Sequence, residues 1–270
     1  MTTEREAAPV SLRAAIRHEE ILYALGAKGR VSTSDLENRL GVTAVTIRED
    51  LKYLENRGFL TRTRGGALAT AGTGAEMAVE LTAQTNRAEK QAIGSRAASL
   101  IKSGQTVIID VGSSTTALAN ALSPELNGVV VVTNGLQIAL SLEATQGVSV
   151  IVTGGTLRPL QHSLVAPMGT LLLEKLKADI AFLGCNGIDP QRGFTNTNIA
   201  EAEIKQAMLA SADYKVFLAD HDKIGKVASA YVADIESADL LITDTGADTE
   251  VLAKLRVKGL EVETVDPVHS

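Results

Sequence analysis

The sequence predicts an α/β chain in two parts: a small helical domain closed by a hairpin, then a larger domain around a largely parallel sheet. Three observations lead there. At 270 residues the chain exceeds a typical single domain. An apolar fraction of 45% with 3% aromatics and no Trp suits an Ala/Val/Leu-rich core. From about Glu76, apolar β-branched runs alternate with helical segments, the pattern of a parallel sheet covered on both faces.

Taken in order, residues 1–10 read as a disordered lead-in. Ser11 can cap a first helix with Leu12, Ile16, Leu22 and Leu25 on its apolar positions and Gly26 and Gly29 at its end. Ser34 with Glu37 forms a capping-box signature for a second helix that stops at Leu40-Gly41. Thr43 can cap a third, with Val45, Leu51 and Leu54 as its buried stripe and Gly58 as its stop. Residues 60–69 alternate around Gly65-Gly66, a hairpin signal. Ala71-Gly-Thr-Gly-Ala75 is small and uncharged. The expected domains are therefore 11–70, a winged helix-turn-helix, then a linker over 71–85 and an α/β domain over 86–270.

In the larger domain the expected strands are Val107–Val111, Val129–Thr133, Val148–Thr153, Ile180–Cys185, Val216–Asp220 and Leu240–Asp244. Helices are expected at Glu89–Ile101, Leu136–Ala144, Ile199–Ser211 and Asp248–Lys258.

Composition removes several function classes. No run approaches the eighteen or so apolar residues of a membrane helix, and the N-terminus lacks the order of a signal peptide. Cys185 is the only cysteine, which excludes disulfide frameworks and Cys-based zinc sites and suits the reducing cytoplasm. It reads as a small buried hydrophobe rather than a nucleophile. No cofactor or metal is called for. The net charge of −6 divides unevenly. Ser11–Thr70 holds ten Lys/Arg against seven Asp/Glu, whereas Ala71–Ser270 holds fifteen against twenty-three. A basic footprint for nucleic acid is thus confined to the N-terminal quarter.

A DNA-reading helix presents short polar side chains to base edges near its N-terminus and cations to phosphates. On the third helix Thr43, Ala44, Thr46, Ile47, Arg48 and Lys52 are candidates, with Arg48 and Lys52 sharing one face. Arg62 and Arg64 on the hairpin can reach phosphates or a minor groove as a wing does. Alternatively, Arg48 and Lys52 pair with Glu49 and Glu55 on a solvated face.

In the larger domain, Asp110-Val-Gly112-Ser113-Ser114-Thr115-Thr116 follows an apolar strand and leads into a helix. Such a turn aims N–H groups and hydroxyls at an anion, as a phosphate cradle requires. It is neither a Walker loop nor a G-x-G-x-x-G turn. Asp110 can accept hydrogen bonds from sugar hydroxyls. Other signals fall at strand ends, where open α/β sheets place ligands: Thr133-Asn134-Gly135, Thr153-Gly154-Gly155, Gly184–Asp189, and Asp220-His-Asp-Lys223. Lys223 and Lys90 are candidate cations.

The run from Ile21 through Thr46-Ile47-Arg48-Glu49-Asp50-Leu51 to Gly65-Gly66-Ala67 resembles the DeoR family of bacterial transcription regulators. Many members carry a second Arg where this chain has Glu49, so base preference does not transfer. Lys90, Asp110–Thr116, Thr133-Asn134, Gly154-Gly155 with Arg158, Gly187-Ile-Asp189 and Asp220–Lys223 resemble that family's sensor domain. The resemblance implies a ribose-5-phosphate isomerase-like α/β fold and a phosphorylated sugar or polyol as effector. It also places Glu201 as a weaker candidate ligand.

The function expected is a DNA-binding regulator, a repressor of carbohydrate-catabolism genes, acting as a homodimer or homotetramer on duplex operator DNA, with no membrane partner and no enzyme activity. The rivals are an isomerase or deaminase on this scaffold and a DNA-architectural protein. Against the enzyme, no acidic catalytic motif is recognisable and His162 and His221 read as isolated. Against the architectural protein stands the phosphate cradle.

Overall fold

The computed structural model describes residues 14, 17, 18, 20, 21, 24, 25, 29–56, 59–68, 79–159 and 161–267. The lead-in, Ser11, Leu12, Ile16, Leu22, Gly26, Gly58 and Ala71–Ala75 lie outside them. Chain contacts divide the molecule into two units, Met1–Thr85 and Asn86–Ser270.

In the first unit, Ala14, Arg17, His18, Glu20, Ile21, Ala24 and Leu25 are helical. Then follow β1 (Arg30–Ser32), α1 (Thr33–Leu40), α2 (Ala44–Asn56), β2 (Thr61–Thr63), β3 (Gly66–Leu68) and α3 (Val79–Gln84). Helix α3 falls inside the stretch expected as linker. The cap of α1 is Ser32, whose hydroxyl accepts from the Asp35 N–H at 3.0 Å, rather than the expected Ser34. Two extra residues at the start let β1 run straight into the helix. Gly41 ends α1 in the left-handed conformation, φ 64°. Strands β1, β3 and β2 form one antiparallel sheet in that order. Gly65 turns the hairpin at φ 103°, and at Gly66 a Cβ would overlap the Val31 carbonyl oxygen, so the Gly-Gly pair meets two separate demands.

Helix α2 corrects the expected stripe. Ile47, Leu51 and Leu54 are buried, whereas Val45 is 62% exposed. Spacings of four and three place the first three on one face, and Val45, two residues before Ile47, faces the opposite way. Asp50 is buried beside that stripe. It accepts from Arg17 Nε at 2.8 Å and Nη2 at 3.0 Å, and lies 2.8 Å from His18 Nε2. His18 also stacks on Tyr53. A charge network therefore ties the leading helical segment to α2.

The second unit runs α4 (Arg87–Ala98), β4 (Thr106–Ile109), α5 (Ser113–Asn120), β5 (Val129–Thr133), α6 (Leu136–Leu142), β6 (Val148–Val152), β7 (Thr156–Arg158), β8 (Ser163–Val165) and α7 (Met168–Leu173). It continues with β9 (Ala178–Gly184), β10 (Gly187–Asp189), β11 (Gly193–Asn196), α8 (Ile199–Ala210), β12 (Ala212–Leu218), β13 (Ala230–Ala233), β14 (Leu240–Asp244), α9 (Thr249–Val257) and β15 (Glu261–Val265). Seven strands form a wholly parallel sheet in the order β15-β14-β12-β9-β4-β5-β6. All six expected strands lie in it.

Alternation along each strand splits the core. Val107, Ile109, Val131 and Phe182 pack under Ile93 and Ala97 of α4, Leu118 of α5 and Ile138 of α6. Ile108, Val132, Ala181 and Phe217 face Leu173 of α7, Ile204 and Met208 of α8, and Leu252 of α9. A small antiparallel sheet, β10-β11-β13, joins this second layer through Phe194, stacked on Phe217. Helices α4 and α5 approach closely because Gly94 has no side chain: a Cβ there would lie 2.6 Å from Ala117 C and Leu118 N. Gly94→Ala should cost about 1–3 kcal/mol by overpacking, read as a lowered urea midpoint with an unchanged slope.

Candidate functional site

In the first unit, α2 shows its polar face outward. Thr43, Arg48 and Lys52 are exposed, and Ala44 and Thr46 are half-buried. The Thr43 hydroxyl lies 3.4 Å from the Thr46 N–H it faces, consistent with its expected role as cap. Among the described residues Arg48, Lys52 and Arg64 form no ion pair, and neither α2 cation meets Glu49 or Glu55. Glu55 instead accepts from the Arg62 N–H at 2.8 Å and lies 3.7 Å from Arg62 Nη1, so Arg62 is the held member of the set. Ile47 is in the core and leaves the list of base-reading candidates. Val45, outward in the first turn, joins it, because a valine there can contact a thymine methyl. Only the correct helical register could have exposed that exchange.

In the second unit, the strand order reverses at β4: β5 and β6 extend to one side, β9, β12, β14 and β15 to the other. Ligands of open parallel sheets sit at the carboxyl ends of strands flanking such a point. Asp110, directly after β4, is fully buried there, and its Oδ2 accepts from the Gly184 N–H at the end of β9 (3.1 Å) and from Lys205 Nζ. Burial pushes the Asp110 carboxyl above the usual aspartate range, with Lys205 and the Gly184 N–H pulling the other way.

Lys205 was not among the residues read from the sequence. It sits one turn beyond Glu201 on α8, and both are buried. Glu201 in turn accepts from Ser163 Oγ at 2.9 Å and Asn196 Nδ2 at 3.0 Å, and pairs with Arg158. The available signal was a lysine four residues after a glutamate on an otherwise Ala/Ile/Met face, a pattern usually taken for a solvated pair.

The remaining expected residues divide by location. Asn134 accepts from the Val111 N–H at 2.9 Å, locking the end of β5 to the Asp110 loop, and the Thr133 hydroxyl accepts from the Gly135 N–H. Gly112 is the N-cap of α5 and brings no capping side chain, so first-turn N–H groups of Ser113, Ser114 and Thr115 are left for another acceptor. Thr115 and Thr116 hydroxyls donate to the Gly112 carbonyl at 3.0 and 2.7 Å, so they shape the turn. Lys90 lies 3.1 Å from Asp220, both buried, and burial lowers the Lys90 ammonium against the pull of Asp220. Lys223, in a 3-10 turn at His221–Lys223, is half-buried. Gly154 adopts φ 76°. Gly155 and Gly187 have packing reasons: a Cβ would collide with the Val165 and Lys226 carbonyl oxygens respectively.

His221 is not isolated. Its Nδ1 lies 2.8 Å from Asp244 Oδ1 at the end of β14, and its N–H donates to Asp244 Oδ2 at 2.7 Å. Burial lowers the imidazole, but the hydrogen bond and charge of Asp244 outweigh it and hold the ring above the usual histidine range. The pair lies twenty-three residues apart and meets only because β12 and β14 are sheet neighbours. Cys185 packs against the core, and burial pushes its thiol up to about 12, which leaves it unreactive.

Most buried polar atoms here are paired, with a telling exception. Among the described residues, Asp110 Oδ1, Asn134 Nδ2 and Thr243 Oγ1 are buried and make no hydrogen bond. All three lie at or near the carboxyl ends of strands, and such orphans require an explanation in a folded protein.

A helix-turn-helix unit joined to a separate α/β unit with a polar site at its strand ends defines a regulator with its own sensor domain. Residues 17–72 match the DeoR-like helix-turn-helix domain, and residues 85–245 match the DeoR C terminal sensor domain. The chain belongs to the DeoR family of transcription regulators. The HTH-type transcriptional regulator GolR of Listeria innocua is 32% identical over 253 residues, covering 93% of this chain and 98% of that protein. The glycerol-3-phosphate regulon repressor of Escherichia coli K12 is 28% identical over 248 residues, covering 92% and 97%. These relatives are named as regulators, and this chain is a regulator rather than an enzyme. Ribose 5-phosphate isomerase A from Methanocaldococcus jannaschii aligns over 52% of this chain and 55% of its own, with a TM-score of 0.38 and 15% identity. The fold class rests on the parallel sheet itself. Among the described residues no helix is long and apolar enough to cross a membrane.

Proposed function

We propose that the chain is a cytoplasmic repressor of carbohydrate-catabolism genes whose operator binding is controlled by a phosphorylated sugar or polyol in the second unit. The observation that carries this reading is the unpaired acceptor Asp110 Oδ1 and unpaired donor Asn134 Nδ2, both buried. They flank a helix start without a side-chain cap. A sugar or polyol hydroxyl can donate to the first and accept from the second. Its phosphate can take the first-turn N–H groups of α5, with Lys223 supplying charge. The buried charges around them are already matched as Asp110–Lys205, Glu201–Arg158 and Lys90–Asp220, which leaves Lys223 as the cation for an added anion. The name of the glycerol-3-phosphate regulon repressor accords with such an effector. Thr43, Ala44, Thr46, Arg48 and Lys52 form the base- and phosphate-reading face, and Arg62 and Arg64 the wing.

Control follows from linkage. An effector that favours a protomer arrangement with misaligned recognition helices weakens operator binding, and DNA weakens effector binding by the same factor. A pair of half-sites requires a homodimer or homotetramer.

The test is a thermal-shift series with phosphorylated sugars and polyols and their unphosphorylated counterparts, with and without promoter DNA. A phosphorylated compound at a hundred times its Kd should stabilise by about 2.7 kcal/mol and lower DNA affinity. Ser113→Glu and Lys223→Ala should each lose that stabilisation while still binding DNA, and Arg48→Ala should do the reverse. Equal stabilisation by the unphosphorylated compounds, or turnover of any of them, would overturn the reading.

A further inference from the structure

The parallel sheet ends at two edges that differ in chemistry. Strand β15 carries Glu261 and Glu263, and Glu263 is engaged by Arg96 at 2.7 Å. Strand β6, Val-Ser-Val-Ile-Val, carries no charge and among the described residues pairs only with β5. Soluble proteins usually guard a sheet edge with charge, proline or a bulge, because a bare edge is a template for another strand. Here one edge is guarded and the other is not.

The surroundings of β6 extend the contrast. From Val148 to Leu173 the only ionisable side chains are Arg158 and His162, although the chain from Ala71 onward has twenty-three acidic residues. Arg158 is spoken for by Glu201. The same stretch concentrates exposed large apolar side chains: Ile151 and Val152 at 39%, Leu157 at 48%, Met168 at 58% and Leu171 at 49%. Packing places them together. Gly154, two residues after Val152, would bring a Cβ within 3.9 Å of Met168 Cβ, and a Cβ on Gly169 would approach the Thr153 hydroxyl at 3.3 Å. The start of α7 thus lies against the turn Thr153-Gly154 that directly follows β6. A neutral apolar edge of this kind on an acidic body marks an interface.

We infer that the β6 edge, with Ile151, Val152, Met168 and Leu171, is the surface through which two copies of this chain associate. Charge selects the occupant. Two copies of an acidic unit repel wherever their surfaces carry acid, and the segment Val148–Leu173 carries no carboxylate, with Glu174 following only at the end of α7. An edge strand is also its own complement: about a two-fold axis β6 meets β6 of the partner antiparallel, each backbone supplying the donors and acceptors the other lacks. Apolar residues of α7 then close over the joint. The surface goes beyond the effector reading, since it holds whether or not a sugar phosphate is the effector.

Sedimentation velocity of the full-length chain at micromolar concentrations tests this. Ile151→Lys on the strand and Leu171→Glu on α7 should each raise the dissociation constant at least tenfold and yield a smaller species than the parent chain. Glu261→Lys on the guarded edge should leave the mass unchanged. Leu171→Glu lies on an exposed helical position, so it remains informative if Ile151→Lys misfolds; unchanged far-UV circular dichroism certifies folding. A parent chain that is monomeric at tens of micromolar, or folded Leu171→Glu of parental mass, would overturn the assignment. Loss of thermal shift with sugar phosphates would bear on the effector reading alone.

Discussion

Lys205→Met should destabilise the second unit by about 3–5 kcal/mol, because it leaves the fully buried Asp110 carboxylate without its cation. That is a large share of the 5–15 kcal/mol typical of a domain. The loss should be mostly reversed by adding Asp110→Asn, which keeps an oxygen for the Gly184 N–H and removes the charge. A double-mutant cycle in urea should therefore show a coupling of about 2 kcal/mol or more. Burial already pushes the Asp110 carboxyl upward, and Lys205 is the strongest pull the other way. Without that lysine the folded chain binds the Asp110 proton more tightly than the unfolded chain. The single variant should accordingly lose stability as pH rises from the ordinary aspartate range towards neutrality. If single and double variants unfold at the same midpoint, the pair is not a matched buried charge.

Asp50→Ala should cost the first unit about 2–4 kcal/mol, although Asp50 is buried and lies apart from the exposed face proposed to read DNA. The carboxylate takes two bonds from Arg17 and one contact from His18, and all three hold the leading helical segment against α2. Removing it strands the partly buried guanidinium and frees the His18–Tyr53 stack. Operator binding should fall with the folded fraction. Hydrogen exchange over Thr33–Asn56 should accelerate, and exchange in the central sheet should stay as it was. Asp50→Asn should fall between the two, since an amide retains one acceptor. Unchanged exchange in Asp50→Ala would show that apolar packing alone carries the unit.

The position of Asp50 also shows how much was legible in the sequence. The run Thr46–Leu51 marks the helix and its family, yet the sequence alone offers no reason for an acid between two core residues. The reason lies thirty-two and thirty-three residues away, in His18 and Arg17. Val45 and Ile47 were likewise read in exchanged roles, because two β-branched residues in one turn look alike until the helix start fixes the register. In the sheet, continuous apolar runs identify six strands, since a strand buried on both faces must be apolar throughout. Strand β15 escaped because Glu261 and Glu263 break that run, as an edge strand permits. The strands of the small antiparallel sheet are three or four residues long, too short for any period to register.

The candidate site, whose ligand role is proposed, divides in the same way. Asp110, the Ser/Thr turn, Asn134 and Asp220 were legible because strand ends and helix starts are local events with local signatures. Lys205 and Asp244 were not, because their importance comes from what they touch.

By itself the sequence determined the two-part architecture, the basic helix-turn-helix segment, the parallel sheet and the turn after β4. Each depends on periodicity, capping or charge within a few residues. The tertiary structure alone decided which ions are matched, which buried polar atoms are left unpaired, and which sheet edge is bare among the described residues. Those depend on strand order and on the packing of α8, and pairings between residues tens of positions apart leave no periodic trace along the chain.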